Sequence, residues 1–186
     1  MIAFIKGEVL ELNPTSAIIM TGSGLGYLVN MSVFCSNKLE KNKNCELRIT
    51  QIIKEDSHRL FGFLDKKEQN VFEMLLKVSG VGPVAALSVI SNISVENFLK
   101  ALSKGDDLAL KKVPGIGPKT AKKIIVELEG RIKLSNQIED SDKQKAYEAL
   151  VGLGFKEDKV IKTLELIKED KVENIIKEAL KIINKG

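Results

Sequence analysis

The 186-residue chain contains no tryptophan, one histidine, two cysteines and four prolines. Its cysteines, Cys35 and Cys45, lack CxxC spacing, which argues against a disulfide framework and a zinc site and predicts two buried thiols. No apolar run approaches the roughly 20 residues of a membrane span. Lys6 and Glu8 interrupt the apolar start too early for the core of a signal peptide. We therefore expect a cytoplasmic protein with no membrane partner.

The charge of the chain is mixed, and no long basic or acidic run is present. Hydrophobic residues make up 44% of the chain and charged residues 29%, a balance that suits a globular protein. The net charge of +4 permits attraction to nucleic acid without demanding it. Lys and Arg outnumber Asp and Glu by 12 to 8 in residues 65–134, against 7 to 6 in residues 1–64 and 10 to 11 in residues 135–186. The basic surplus therefore belongs to the middle segment.

Residues 1–64 have the pattern of short strands separated by turn residues. Five or six strands in this length predict a small barrel. The last two strands would form a hairpin whose charged tip contains Glu55 and Asp56. Solvation alone would also explain a polar tip. The strand-like runs lie at residues 3–5, 17–20, 26–29, 47–49 and 60–63.

From residue 65 to about residue 134 the apolar spacing becomes helical and accommodates five short helices. Ser94 and Asp106 are predicted N-caps, and Gly105 is a predicted helix stop. Residues 135–143 are mostly polar and predict a linker. Beyond it, apolar spacing predicts a compact module of three helices in residues 144–186.

The middle segment contains an internal repeat with an offset of 35 residues. The sequence VSGVGP at residues 78–83 aligns with VPGIGP at residues 113–118, and the alignment continues into the following helix. Each copy has an apolar helix, a Gly-apolar-Gly turn and a second helix that opens at or near proline. The segment is therefore a duplicated pair of helices joined by a tight turn.

The turn predicts a phosphate-binding site in each copy. Glycines permit positive φ and close approach of a ligand, while the apolar residue between them can anchor the turn in the core. The free N–H groups of the next helix can then bind phosphate, which favours recognition of the DNA backbone. Three lysines add charge in the second copy. The candidate DNA-binding residues are Gly80, Val81, Gly82, Gly115, Ile116, Gly117, Lys119, Lys122 and Lys123.

The two copies differ in charge. Val84 stands where the second copy has Lys119, and the sequence leaves open whether Lys54 or Lys77 compensates. A single Gly-apolar-Gly turn could be only a tight connection between packed helices, but two copies in register favour DNA binding. A P-loop is excluded because Lys119 does not directly follow a glycine and helix, not strand, precedes the turn.

The order of the segments resembles the RuvA family over essentially the whole chain. The sequences MIAFIKG at residues 1–7, GLGY at 24–27 and LFGF at 60–63 are also similar to that family. The resemblance implies an α+β multidomain protein. Its parts would be an OB-fold barrel in residues 1–64, a tandem helix-hairpin-helix domain in 65–134, a linker in 135–143 and a ubiquitin-associated-like three-helix bundle in 144–186.

The resemblance also implies a function. A RuvA-like chain is a non-catalytic homotetramer that binds Holliday junction DNA and recruits the RuvB ATPase hexamer, without catalytic residues, metal or cofactor. The resemblance also allows the RuvC resolvase as a further partner. It leaves open whether one tetramer or an octamer encloses the junction. Glu55 and Asp56 resemble the family's acidic pin. Leu150, Leu153 and Phe155 resemble its RuvB contact, although so small a module also needs apolar residues for its own core.

Two other functional classes share sequence features with this chain. Helix-hairpin-helix glycosylases and lyases carry a catalytic Asp about twenty residues beyond the hairpin, where this chain has Gln137. Glu139 and Asp140 are nearby, but a linker cannot easily hold a carboxylate against a flipped base. The low aromatic content, 5%, also argues against a base-stacking pocket. A protein-interaction adaptor is the third class, since the tail resembles a ubiquitin-associated bundle.

Overall fold

The computed structural model describes residues 1–137, 141–169 and 171–183. Five strands form a closed barrel in the order β1-β2-β3-β5-β4, with a short helix, α1, between β3 and β4. The barrel topology confirms the predicted OB-type fold. The elements are β1 (Phe4–Asn13), β2 (Ser16–Met20), β3 (Gly26–Asn30), α1 (Val33–Ser36), β4 (Asn44–Lys54) and β5 (Ser57–Phe63).

Strand β1 closes the barrel because it is long enough to pair on both sides. Its first half pairs with β4 and its second half with β2, both antiparallel, and an irregularity between Val9 and Glu11 lets the strand bend. Strands β3 and β5 pair in parallel and complete the ring. Alternate side chains point inward. The interior is filled by apolar residues, among them Ile5, Val9, Ile19, Val29 and Leu47.

Gly7 of β1 lies directly against the backbone of β2. A Cβ on Gly7 would lie 2.8 Å from the carbonyl carbon of Met20 and closer still to its oxygen. Backbone atoms cannot rotate away as a side chain can. We therefore expect Gly7→Ala to lower the free energy of unfolding by about 3 kcal/mol, measured by urea denaturation. Gly22→Ala, where a Cβ meets nothing within 4 Å, should change it by less than about 0.5 kcal/mol; equal stability of both variants would contradict this account of barrel closure.

Five helices follow the barrel, as predicted. Ser94 accepts a hydrogen bond from the N–H of Asn97 at 3.3 Å, and Asp106 accepts from the N–H groups of Leu108 and Ala109 at 3.1 and 3.3 Å. Gly105 ends a helix with φ of +66°. The hydrogen bonds confirm the two predicted N-caps, and the left-handed conformation of Gly105 confirms the predicted helix stop. The helices are α2 (Lys66–Leu76), α3 (Pro83–Asn92), α4 (Val95–Lys104), α5 (Asp107–Lys111) and α6 (Pro118–Gln137).

Helix α2 packs against the outer face of the barrel. The Phe72 ring of α2 lies 5.0 Å from that of Phe61 and 5.1 Å from that of Phe63, both on β5. Thr50 of β4 donates a hydrogen bond to Glu73 of α2 at 2.8 Å. As a result, residues Met1–Glu129 form a single compact unit. The predicted bounds at residues 64 and 65 mark a change of secondary structure inside this unit.

A buried polar contact also joins the barrel segment to helix α2. The Ser32 hydroxyl donates to Glu68 of α2 and accepts from the N–H of Cys35 at 3.0 Å, which caps α1. Burial raises the pKa of the Glu68 carboxyl, and the nearby Asp65 raises it further. Burial, followed by the charge of Glu68, raises the pKa of the Cys35 thiol to about 12. Cys35 and Cys45 are both buried and free, which confirms the prediction of buried thiols.

Residues Gly130–Gly186 form a second compact unit. Three helices, α7 (Ser141–Gly152), α8 (Glu157–Leu166) and α9 (Val172–Ile183), surround an apolar core, as the sequence predicts. Gly154 has φ of +92°. Its N–H bonds to the Val151 carbonyl and that of Phe155 to the Leu150 carbonyl, the pattern of a Schellman cap.

The predicted linker at residues 135–143 is wrong in extent. Helix α6 continues to Gln137 and α7 already begins at Ser141, while residues 138–140 lie outside the described residues. A polar composition does not distinguish a loop from a solvated helical turn, which explains the difference. Among the helices that the structure describes, none combines the length and apolar character needed to cross a membrane.

Candidate DNA-binding hairpins

The two repeat copies have the same backbone hydrogen bonds in their turns. In the first copy the N–H of Val81 donates to the carbonyl of Val78 at 3.0 Å. In the second, the N–H of Ile116 donates to the carbonyl of Val113, also at 3.0 Å. The repeat seen in the sequence is therefore a repeat of structure, with two helix-hairpin-helix units, α2–α3 and α5–α6.

Only the first glycine of each turn uses a positive φ. Gly80 has φ of +90° and Gly115 has +85°, whereas Gly82 has an extended backbone with φ of −88°. The expectation that both glycines serve this purpose is wrong. A Cβ on any of these residues, or on Gly117, would meet nothing within 4 Å. The second glycine therefore keeps open the surface beside the next helix.

The apolar residues between the glycines anchor the turns. Val81 is 6% exposed and Ile116 is 5% exposed. Because their N–H groups bond within the turns, both residues are engaged in holding the turns. Val81 and Ile116 therefore support the candidate site by holding the turns that position the neighbouring N–H groups.

The first turn of α3 presents free donors. Its first i→i−4 bond joins the N–H of Ala86 to the carbonyl of Gly82 at 2.9 Å, so the N–H groups of Val84 and Ala85 precede the helical ladder. Gly82, at the N-cap, contributes no side-chain hydrogen bond. In α6 the corresponding first bond joins Ala121 to the carbonyl of Gly117. Both helix starts therefore offer N–H groups to a ligand.

No acidic residue lies in the first turn of α3 or α6, the helices that follow the two hairpin turns. Helices α2, α4 and α5 each carry an acid in the first turn, Glu68, Glu96 and Asp107 respectively. The first turns of α3 and α6 carry none. An acid in the first turn interacts favourably with the helix dipole. Its absence after both hairpins leaves the positive end of each dipole for an external anion.

Lys119, Lys122 and Lys123 are exposed near the start of α6. Lys119 is three and four residues from the other two, a spacing at which like charges repel on a helix. Cations near a helix N-terminus also oppose the dipole. Lys123 is within 3.8 Å of Glu127, which offsets part of this cost. A bound anion, such as a phosphate, would offset the rest.

The two hairpins are also tied together. The Ser88 hydroxyl of α3 donates to the carbonyl of Pro114, in the second turn, at 2.7 Å. Ser88 is not recognisable as a contact residue from the sequence, because no local pattern distinguishes it from other helical serines. The bond fixes the spacing between the two turns.

Glu55 and Asp56 are both exposed and form a two-residue tip, because Lys54 of β4 pairs with Ser57 of β5. This confirms the predicted hairpin with a charged tip. A surface cavity of about 390 Å³ lies between the base of the tip and the first helix-hairpin-helix turn. Lys54 lines this cavity, whereas the other basic candidate, Lys77, is the C-cap of α2.

The three candidate partner-contact residues of the second unit have different environments. Leu153 is 65% exposed, Phe155 is half-buried and Leu150 is completely buried. The surface role expected for Leu150 is wrong in this structure. So small a module uses the residue for its own core. Leu153 is the accessible member of the set.

The described residues provide no cluster of three or more His, Cys, Asp or Glu side chains suited to a metal ion. Gln137 is the last residue of α6, and residues 139 and 140 lie outside the described ranges.

Comparison with known proteins covers all three segments. Residues 1–62 match the RuvA N terminal domain, residues 72–129 the SAM-like helix-hairpin-helix tandem, and residues 144–184 the RuvA C-terminal domain. The chain is 50% identical to a protein of Campylobacter jejuni subsp. doylei, 46% to one of Campylobacter lari and 45% to one of Campylobacter concisus. Each alignment covers 97% of this chain and 98% of the relative, and each relative is named Holliday junction branch migration complex subunit RuvA. The chain therefore belongs to the RuvA family.

Proposed function

We propose that this protein binds four-way Holliday junctions as a non-catalytic tetrameric scaffold in the cytoplasm. It would hold the junction open and recruit the RuvB ATPase for branch migration during recombination and repair. The observation that carries the proposal is the pair of hairpins, each with free N–H groups at a helix start without acidic residues. The names of the relatives supply the type of DNA.

Apolar side chains on the outside of the barrel support assembly into a tetramer. Phe4, Leu10, Leu25, Leu28 and Ile53 are each more than two-fifths exposed. Contact with other copies would bury such side chains, as subunit interfaces commonly do. Fourfold symmetry would also bring four acidic tips together, with eight carboxylates near the crossing strands. Their charge would repel the phosphates and keep the arms apart.

Recruitment of RuvB is assigned to the second unit. Exposed Leu153 lies directly after α7, next to half-buried Phe155. Leu166, on α8, is 71% exposed. Exposed apolar residues of this kind on a small module suit a docking contact with a partner protein.

A competition gel shift tests the proposal. A labelled four-way junction is bound at near-physiological salt with magnesium and challenged with unlabelled junction or with linear duplexes of the same sequence content. We expect the junction to compete about 100-fold better than the duplexes. Equal competition would reduce the protein to a general helix-hairpin-helix DNA binder and reopen the repair-enzyme class.

A further inference from the structure

The two hairpins do not carry equal charge on their own helices. Val84 of α3 is 66% exposed and occupies the repeat position at which α6 has the exposed Lys119. The positions that follow Val84 in the first turns of α3 also hold no basic residue. If both hairpins bind phosphate, a cation for the first must come from another part of the fold.

Strand register supplies two cations. Ile52 pairs with Arg59 and Lys54 pairs with Ser57 across β4 and β5. Cross-strand partners, and residues two apart along a strand, project from the same face. Lys54 and Arg59 are thus diagonal neighbours on one face of the tip hairpin.

That face is directed at the first helix-hairpin-helix unit. The 390 Å³ cavity is lined on this side by Ile52, Lys54, Ser57 and Arg59, and its other wall is formed by Gly82, Pro83 and Val84. Lys54 and Arg59 are exposed. Among the described side chains, neither lies within ion-pair distance of a carboxylate. Asp56 shares the cavity, so its charged side chains sum to one positive charge.

We propose that Lys54 and Arg59 are the DNA phosphate-binding cations of the first hairpin, acting in place of a basic residue at position 84. This rests on the proposed junction binding and adds its missing contact. A phosphate in the cavity would lie between the open start of α3 and the two side chains, and Arg59 could bind it through two parallel N–H donors. The β4–β5 hairpin would then repel DNA phosphates at its acidic tip and bind a phosphate at its basic base. It would hold a DNA strand directly beside the region from which the tip excludes phosphates.

The test compares variants by their affinity for a four-way junction between about 50 and 200 mM salt. We expect Lys54→Gln/Arg59→Gln to bind about tenfold more weakly. Loss of this one phosphate contact should make the slope of log K against log salt shallower by about 0.9 for each occupied hairpin. Lys41→Gln/Lys43→Gln removes the same charge from exposed positions outside the cavity and should retain nearly the original slope.

Adding Val84→Lys to the double variant should restore most of the affinity, because it returns a cation to the position used by the second hairpin. Affinity unchanged by Lys54→Gln/Arg59→Gln, an equal loss in the Lys41/Lys43 control, or no rescue by Val84→Lys would each overturn the assignment. Circular dichroism and the thermal midpoint confirm folding, and the two single variants repeat the test if the double variant is unstable. The proposed function fails separately, when the wild-type protein shows no preference for the junction.

Discussion

Replacing Lys119, Lys122 and Lys123 by glutamine is expected to weaken junction binding by about 100-fold at physiological salt. All three side chains are exposed at the α6 start that lacks acidic residues. Each lost phosphate contact should reduce the salt slope by about 0.9, so the triple variant should lose up to about 2.7 for each occupied hairpin. The measurement is a salt titration of junction affinity by fluorescence anisotropy.

The same substitutions should stabilise the fold slightly or leave it unchanged. They relieve repulsion between lysines three and four residues apart and the unfavourable interaction with the helix dipole. A matched control replaces Lys41, Lys66 and Lys67, which are also exposed. The last two begin α2, about 16 Å along that helix from its hairpin turn. A similar loss of affinity in this control would show that net charge, and not the hairpin, governs binding.

Replacing Glu55 with Gln and Asp56 with Asn is expected to reduce discrimination between a junction and linear duplex by about tenfold. Removing carboxylates that oppose phosphates should allow continuous duplex to approach the centre, with an effect of about 1 to 2 kcal/mol at this exposed site. Both residues are exposed in the tip, so folding should not change. The measurements are competition binding and the rate of RuvB-driven branch migration, which should also change.

The neutral substitutions at the tip keep side-chain size and polarity, so a change reports charge. Glu11→Gln/Glu40→Gln removes two exposed carboxylates from other parts of the barrel surface. It should leave both selectivity and migration rate as in the wild type. Unchanged binding and an unchanged migration rate in the tip variant would remove the acidic pin from the proposed mechanism.

Local signals predicted much of this fold. The caps at Ser94 and Asp106 and the stop at Gly105 depend on nearby residues alone, and the structure confirms them. The repeat at residues 78–83 and 113–118 predicted two similar turns, because the conformation of each turn also depends on nearby residues alone. Helix α1 was missed because it is only four residues long and has no helical apolar repeat to reveal it.

Features that depend on tertiary packing were not predictable in the same way. No local pattern showed that Phe72 packs against Phe61 and Phe63 of β5, or that Lys54 and Arg59 line a cavity with Gly82. The burial of Leu150 did have a signal, since Ala146 lies four residues earlier on the same helical face and is also buried. The DNA contacts and the docking surface stay predictions, because they involve partners outside this chain.

The aromatic contact of Phe72 with Phe61 and Phe63 restricts how this chain can exchange parts with its relatives. A chimera that joined the barrel of one RuvA protein to the hairpins of another would have to match this contact and the buried Ser32–Glu68 bond across the graft. Residues Met1–Glu129 are therefore a single module for protein engineering. A crossover near Gly130 would leave both sets of contacts intact and would exchange the second compact unit as a whole.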